Sequence, residues 1–189
     1  MRKYLLLLFI CGSIVGSCSK QQNIQPSCVV EMKIEYPEYS HGYLRNIEGK
    51  YLDSLVVTNG HLNLERTDSL LMPYVAIISL KNPADSIDRI DMPFVVEAGK
   101  VNIEIGEYIS TSGTPLNGRL QEFLNDLQAL RSSLDVNISI EEMNQLFSEF
   151  YKQQILSNKN NVLGQYIYMS YGIHLNDADR DLVKAQLDS

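Results

Sequence analysis

The pattern of hydrophobic and polar residues divides the chain into a β-rich first half and a helical second half, and the change falls within residues 92–134. Here Val101, Ile103 and Ile105 first alternate with polar residues, the period of a strand with one buried face. Apolar residues then recur every three or four positions, at Leu116, Leu120, Phe123, Leu124, Leu127, Leu130 and Leu134. This second spacing predicts one long amphipathic helix.

Local signals support this change of period. Ala98-Gly99-Lys100 predicts a turn between two short strands, because glycine adopts positive φ without strain. Thr114 is a typical N-cap, and Pro115 suits the first helical position, where a missing N–H is no loss. We therefore expect strand, turn, strand and helix in that order.

Further strands are predicted before this segment. Alternating residues indicate strands at 29–36, 39–45, 50–57 and 61–65, and an apolar, β-branched run indicates another at 74–80. Asn59-Gly60 predicts a tight hairpin turn between the third and fourth of them. The polar segment 82–91 is interpreted as a loop.

Three more helices are predicted after the long one. Ser139 and Glu142 have the spacing of a capping box, and Asn161 and Asn176 are typical helix starts. The predicted fold class is α+β. We expect an N-terminal antiparallel β-sheet or sandwich subdomain at 29–111, followed by a C-terminal helical subdomain of three to four helices at 112–189.

The N-terminal segment predicts export and lipidation. Arg2-Lys3 precedes an apolar run that is too short for a good transmembrane span. Val15-Gly16-Ser17-Cys18 resembles a bacterial lipobox, in which the cysteine is lipidated and becomes the first mature residue. We expect a signal peptide at 1–17 and a lipid anchor with a polar tether at 18–28. A plain signal peptide cut near Cys18 is the alternative.

A triacyl anchor that carries palmitate would bind a membrane firmly, since each buried methylene contributes about 0.8 kcal/mol. The formal net charge is −7, and loss of Arg2 and Lys3 with the signal peptide takes it to −9. An acidic chain is a poor nucleic-acid binder, so membrane association should come from the lipid. The tether lacks the acidic run after Cys18 that often accompanies export to the cell surface in Bacteroidetes lipoproteins. We therefore expect a cell-envelope protein on the periplasmic face of the outer membrane.

Cys28 is the one cysteine left once Cys11 departs with the signal peptide and Cys18 is lipidated. The sequence has no Cys-x-x-Cys pair. Cys28 therefore has two interpretations. It is either a redox thiol or a small apolar residue at the start of a strand.

Metal and catalytic sites are not indicated. His41, His61 and His174 share no ligand spacing. The sequence also has no nucleophile elbow, no phosphate-binding loop and no dinucleotide fingerprint. We expect no catalytic residues, no metal and no cofactor.

An acidic cluster near the C-terminus has a simpler explanation than calcium binding. Asp177, Asp179 and Asp181 fall at the first three ligand positions of a calcium loop. Asp188 falls at the last position, but Leu182 stands where the sharp turn needs glycine. Acidic residues at a helix start are expected for capping and for the helix dipole.

Two features remain as candidate sites. Asp85-Ser86-Ile87 resembles the O-glycosylation acceptor pattern of Bacteroidetes secreted proteins, which makes Ser86 a candidate for modification. Tyr166, Tyr168 and Tyr171 could line a binding face. Tyrosines at helical spacing are also typical of the edge of a core.

Four motifs in order carry a resemblance to a known family. They are Asp53-Ser54-Leu55-Val56-Val57, Asn59-Gly60-His61-Leu62, Phe94-Val95-Val96-Glu97-Ala98-Gly99 and Ser112-Gly113-Thr114-Pro115-Leu116-Asn117. Over about residues 29–173 the chain resembles the N-terminal domain of unknown function of Bacteroidetes envelope thiol-disulfide (thioredoxin-like) lipoproteins. In that family a thioredoxin-like domain with a Cys-x-x-Cys usually follows, and here the sequence stops where it would begin.

The resemblance implies the fold and the envelope location without the enzymatic domain. The chain is then either a stand-alone accessory form or a truncated relative of that family. The expected function is that of a non-catalytic envelope lipoprotein acting as a binding or accessory module. The resemblance suggests a thioredoxin-like protein as the partner. The alternative is a redox participant that uses the single thiol of Cys28.

The lipid anchor can be tested directly. We expect the mature protein to enter the detergent phase in a two-phase partition with lipid on Cys18, and the Cys18→Ala variant to stay in the aqueous phase. The measurement is the distribution of the protein between the phases. Continued membrane association of Cys18→Ala would contradict lipidation at this residue.

Overall fold

The structure is a computed structural model that describes residues 27–67 and 72–188. Its strands form two four-stranded sheets, and its helices follow them in the chain. This arrangement confirms the α+β class with N-terminal sheets and C-terminal helices.

The elements have the following bounds. The strands are β1 (Cys28–Ile34), β2 (His41–Asn46), β3 (Tyr51–Val56), β4 (His61–Arg66), β5 (Tyr74–Asn82), β6 (Asp85–Val96), β7 (Gly99–Ile105) and β8 (Ile109–Ser112). The helices are α1 (Pro115–Ser133), α2 (Ile140–Ser157), α3 (Val162–Tyr171) and α4 (Asp177–Leu187). The first sheet has the order β4-β1-β7-β8, and the second has the order β3-β2-β5-β6.

The two sheets share one hydrophobic core. Alternate residues of β1 and β7 are buried, as the period-two pattern predicts. The second sheet contributes its own inward face to the same cluster. The buried members include Val30, Met32, Ile34, Leu44, Ile78, Leu80, Met92, Phe94, Val101, Ile103 and Ile105.

The predicted hairpin turn at Asn59-Gly60 instead connects the two sheets. Asn59 (φ 52°) and Gly60 (φ 74°) have the positive φ angles of a tight turn, as predicted. Yet β3 pairs with β2 whereas β4 pairs with β1, so the strands on either side of this turn are not neighbours in a sheet. The hairpin prediction was wrong because alternation specifies the buried face of a strand and not its neighbour. The strand, turn and strand predicted around Gly99 (φ 126°) are present, and they lead from β6 in the second sheet to β7 in the first, where β7 pairs in parallel with β1.

The predicted loop at 82–91 is also wrong, because most of this segment is the first half of β6. It pairs with β5 in an antiparallel hairpin, and Ile87 is 88% exposed on it. The Asp88 carboxylate of this segment accepts hydrogen bonds from two residues outside β6. The Tyr39 hydroxyl donates to Asp88 Oδ1 at 2.5 Å, and Asn82 Nδ2 donates to Asp88 Oδ2 at 2.9 Å. The bond to Asp88 raises the pKa of Tyr39 to about 12 and lowers the pKa of Asp88.

The helix starts are where the sequence predicts them. Thr114 is the N-cap of α1 with Pro115 after it, and Ser139 forms a capping box at α2. Asn161 and Asn176 cap α3 and α4 through their side chains. The helices then bury a second hydrophobic cluster against the outer face of the second sheet. Its members include Val75, Val95, Leu120, Phe123, Leu127, Tyr151, Ile155, Leu163, Ile167 and Val183.

A buried asparagine connects α1 to both sheets. The side chain of Asn117 is fully buried. Its Oδ1 accepts from the Val95 main-chain N–H at 2.9 Å, and its Nδ2 donates to the Val95 carbonyl at 2.8 Å. The Thr111 hydroxyl donates to the same Oδ1 at 3.2 Å. Val95 lies on β6, an edge strand of the second sheet, and Thr111 on β8, an edge strand of the first, so one carboxamide joins the two sheets.

A carboxylate from the β6–β7 turn completes this junction. Glu97 Oε1 accepts from the main-chain N–H groups of Leu116 and Asn117 at 2.8 and 3.2 Å. It satisfies the free donors at the start of α1 and places a negative charge at the positive end of the helix dipole. The Thr114 hydroxyl instead accepts from Asn117 Nδ2 at 2.8 Å. Two of the four motifs behind the family resemblance therefore meet in this cluster.

We expect Asn117→Ala to lower the free energy of unfolding by about 3 kcal/mol, because it leaves the buried groups of Val95 and Thr111 without partners. Urea unfolding measures the change. Asn125→Ala removes the same side chain from an exposed position of α1 and should cost at most about 0.5 kcal/mol. Equal losses in the two variants would contradict the role given to Asn117.

Candidate functional site

A groove of about 910 Å³ opens where the sandwich meets α1 and α3. We call it the seam groove. Its apolar lining is formed by Ile77, Met92, Pro93, Leu124 and Leu127, together with Tyr108, Ile109, Tyr166 and Tyr171. Its polar rim is formed by Gln121, Asn125, Gln128 and Arg131 of α1, with Asp91, Glu107 and Ser110 from the strands and the β7–β8 turn. This volume and this mixture of apolar lining with a few polar groups are typical of ligand sites.

The polar rim follows from the helical period of α1. Gln121, Asn125 and Gln128 lie on one side of the helix, while Leu120 and Phe123 are buried on the other. Gln121 Nε2 donates to Asn125 Oδ1 at 2.8 Å, and Gln121 Oε1 accepts from the main-chain N–H of Thr111 at 2.7 Å. Gln128 is exposed, and its side chain makes no hydrogen bond to another residue in 27–67 or 72–188. The groove thus presents an amide side chain that can bind an incoming group.

Two of the three tyrosines considered as a binding face reach the groove. Tyr166 is buried, and this burial raises the pKa of its hydroxyl. Tyr171 is half-buried and stacks on Tyr151 with 4.9 Å between ring centroids. Tyr168 packs against the helical core without lining the groove. Tyr166 and Tyr171 therefore belong to the edge of the core and to the groove at once.

Charged groups of both signs line the groove, namely Asp91, Glu107 and Arg131, and Asp91 is already paired. The carboxylate of Asp91 lies 3.3 Å from Arg45 Nη2 and 3.4 Å from Arg89 Nε. Burial raises the pKa of Tyr151, and the nearby Arg131 guanidinium acts in the opposite direction. The groove therefore offers apolar and hydrogen-bonding surface rather than a strong field of one sign.

A second cleft, of about 980 Å³, lies beside α2 and α4, but its polar groups hold the two helices together. Asp179 accepts from the Ser148 hydroxyl at 2.8 Å and from Lys152 Nζ at 3.0 Å. Asn176 Nδ2 donates to the same carboxylate at 2.8 Å, and Lys152 also pairs with Glu149. Burial by itself raises the pKa of Asp179, but the bonds from Ser148 and Lys152 outweigh it and leave this pKa below its ordinary value.

The candidate thiol is not accessible. Cys28 is 0% exposed at the start of β1 and belongs to the core of the sandwich. Reactive cysteines need access and a setting that favours the thiolate. This burial disfavours the redox hypothesis and fits a small apolar residue at the start of a strand.

The other candidate residues are not brought together. His41 lies at the start of β2, His61 at the start of β4, and His174 stacks on Tyr151 with 5.6 Å between centroids. Among the residues that the structure describes, no group of three or more His, Cys, Asp or Glu side chains could hold a metal ion. Asp177 and Asp179 lie in the first turn of α4 under the Asn176 cap, as helix capping predicts.

Cys18 lies outside the described residues. The backbone of Ser86 lies within β6 and not in a loop, which corrects the setting assumed for this candidate, and its side chain is outside the description. No helix within 27–67 or 72–188 is long and apolar enough to cross a membrane.

Comparison with known proteins adds no family. A scan against protein-family models finds no match, and a search of curated proteins finds none either. The function is therefore argued from the site itself.

The pKa of Asp179 predicts a pH dependence of stability. Because this pKa is lowered in the folded protein, the stabilisation is complete above the ordinary value of 3.8 and is lost as the pH falls through the folded value. We expect Asp179→Asn to lower the Tm at neutral pH and to approach the wild type near about pH 2. Asp181→Asn, at an exposed site of the same helix, should leave the profile unchanged. Thermal melts across this range measure both, and parallel profiles for wild type and Asp179→Asn would contradict the expectation.

Proposed function

We propose that this chain is a non-catalytic, lipid-anchored envelope lipoprotein that works as a binding or accessory module. The seam groove is its binding surface. The observation that carries the proposal is the combination of an apolar lining with an exposed, unbonded amide at Gln128 in one concave site. Lipid on Cys18 would hold this site close to the outer membrane, facing the periplasm.

The partner suggested by the family resemblance is a thioredoxin-like protein. The burial of Cys28 supports a division of labour in which disulfide exchange belongs to the partner. This chain would then supply the membrane anchor and the binding surface. The redox alternative based on Cys28 has no geometric support, because an attacking thiolate must reach its disulfide.

Site-specific photocrosslinking in the native cell tests the proposal. Benzoylphenylalanine replaces Gln128 on the rim of the seam groove or, as the control, Asp181 on the exposed side of α4. We expect an adduct with an envelope protein from position 128 that is missing from position 181. Mass spectrometry identifies the captured protein.

The outcomes separate the two parts of the proposal. A thioredoxin-like protein captured only from position 128 supports both the groove and the partner. A different envelope protein supports the groove and rejects the thioredoxin-like partner. Equal adducts from the two positions, or none from either, would overturn the seam groove as the binding surface.

A further inference from the structure

We propose that the seam groove binds an extended peptide segment, which adds to the outer edge of β6 as a fifth strand of the second sheet. The inference rests on the proposed function and names the chemistry of its ligand. The partner region is a stretch of polypeptide with apolar side chains at alternate positions. Three features favour such a ligand: the main-chain groups at the edge of β6, the apolar walls of the groove and the charges in it.

The outer edge of β6 already binds one side chain in the way that it would bind a neighbouring strand. β6 is the outermost strand of its sheet. The carboxamide of Asn117 both accepts from and donates to the main chain of Val95, at 2.9 and 2.8 Å. This is the pair of bonds that a residue of a neighbouring strand would make. Asn117 therefore shows that the outer edge of β6 accepts a peptide-like group at this place.

The same edge continues into the groove. In an antiparallel strand the main-chain groups of every second residue face the same side, so Pro93, Asp91 and Arg89 share the direction of Val95. Asp91 and Pro93 line the seam groove. Beyond Arg89, the main-chain N–H of Ile87 donates a hydrogen bond to Asp85 Oδ1 at 3.0 Å. The open stretch thus runs from Arg89 to Pro93, about 17 Å at the rise of a strand.

The outward main-chain groups of this stretch are without hydrogen-bond partners in the described part of the chain. No described side chain or loop hydrogen-bonds to the outward main-chain groups of Arg89 or Asp91. Pro93 has no N–H and offers only its carbonyl. Asp91 is therefore the position in the groove at which the edge presents both a donor and an acceptor.

The walls of the groove suit the side chains of such a segment. Successive side chains of a strand point to opposite faces, so every second one would meet Leu124, Leu127 and Tyr171. Tyr108 and Ile109 on the opposite wall are 70% and 42% exposed, although both are large and apolar. Arg45 and Arg89 already pair with Asp91, and the other two charges of the groove, Glu107 and Arg131, are opposite in sign. Apolar side chains rather than charge would therefore select the ligand, as in other cases of strand addition.

Synthetic peptides provide the probe. One pool of peptides of about ten residues carries apolar residues at alternate positions, and a second pool has the same composition with the apolar residues clustered. Binding to the full lipid-bearing chain in detergent micelles is followed by fluorescence polarisation. We expect the alternating pool to bind at least about tenfold more tightly than the clustered pool.

Two substitutions at one position test the edge itself. Asp91→Pro removes the outward N–H without removing a bond to β5, whereas Asp91→Ala removes the same carboxylate and keeps the N–H. We expect Asp91→Pro to weaken binding about tenfold or more relative to Asp91→Ala, because a carbonyl of the bound peptide loses its donor. Binding of the alternating pool should also slow amide hydrogen exchange at Arg89 and Asp91.

A second comparison modifies the peptides instead of the protein, so that the inference can be tested even if Asp91→Pro does not fold. N-methylation of one set of alternate peptide amides blocks the edge that faces β6, and methylation of the other set does not. We expect one methylated series to lose binding and the other to retain it. Equal loss in both series, equal binding of the two pools, or no binding by either pool would overturn the inference.

The test also separates this inference from the proposed function. Crosslinking of a protein at position 128 without peptide binding would reject strand addition and leave the groove as a binding surface. Failure of both experiments would reject both proposals. Peptide binding with the expected difference between Asp91→Pro and Asp91→Ala would support both.

Discussion

The sandwich has an edge strand of each sheet on the side where the helices pack, and one buried carboxamide joins them. Asn117 bonds to β6 through Val95 and to β8 through Thr111, while Glu97 holds the start of the helix that carries Asn117. These groups are costly to leave unpaired away from water. The position of α1 follows from this cluster, and the position of α1 in turn creates the seam groove. A structural junction and a candidate binding site thus depend on the same few hydrogen bonds.

The features that the sequence predicts well are those determined over a few residues. The inward faces of β1 and β7 follow from period two, and the caps at Thr114, Ser139 and Asn176 follow from local backbone chemistry. The partners of β3 and β4 could not be predicted, because the turn at Asn59-Gly60 also suits a connection between packed sheets. The strand within 82–91 was missed because its residues are mostly polar. It pairs with β5 through main-chain hydrogen bonds, which composition does not reveal.

The candidate site could be predicted only in part, because it too depends on which distant elements lie next to each other. Gln121 and Asn125 fall off the apolar stripe of α1, so they are expected to face water, and no local rule places the edge of β6 opposite them. A row of amide side chains along one helix face is a signal that could have been noticed. The role of Tyr171 needed the tertiary structure, because core packing and groove lining produce the same helical spacing.

The position of β1 has a mechanical consequence. β1 lies inside the first sheet, between β4 and β7, and the Ser27 carbonyl just before it accepts from the Gly99 N–H at 2.9 Å. A load applied through residue 27 would therefore run along a strand that is hydrogen-bonded on both sides. Such a load shears many bonds together, whereas a load across an edge strand opens them one at a time. An anchor attached upstream would therefore pull along an interior strand, where the hydrogen bonds on both sides share the load.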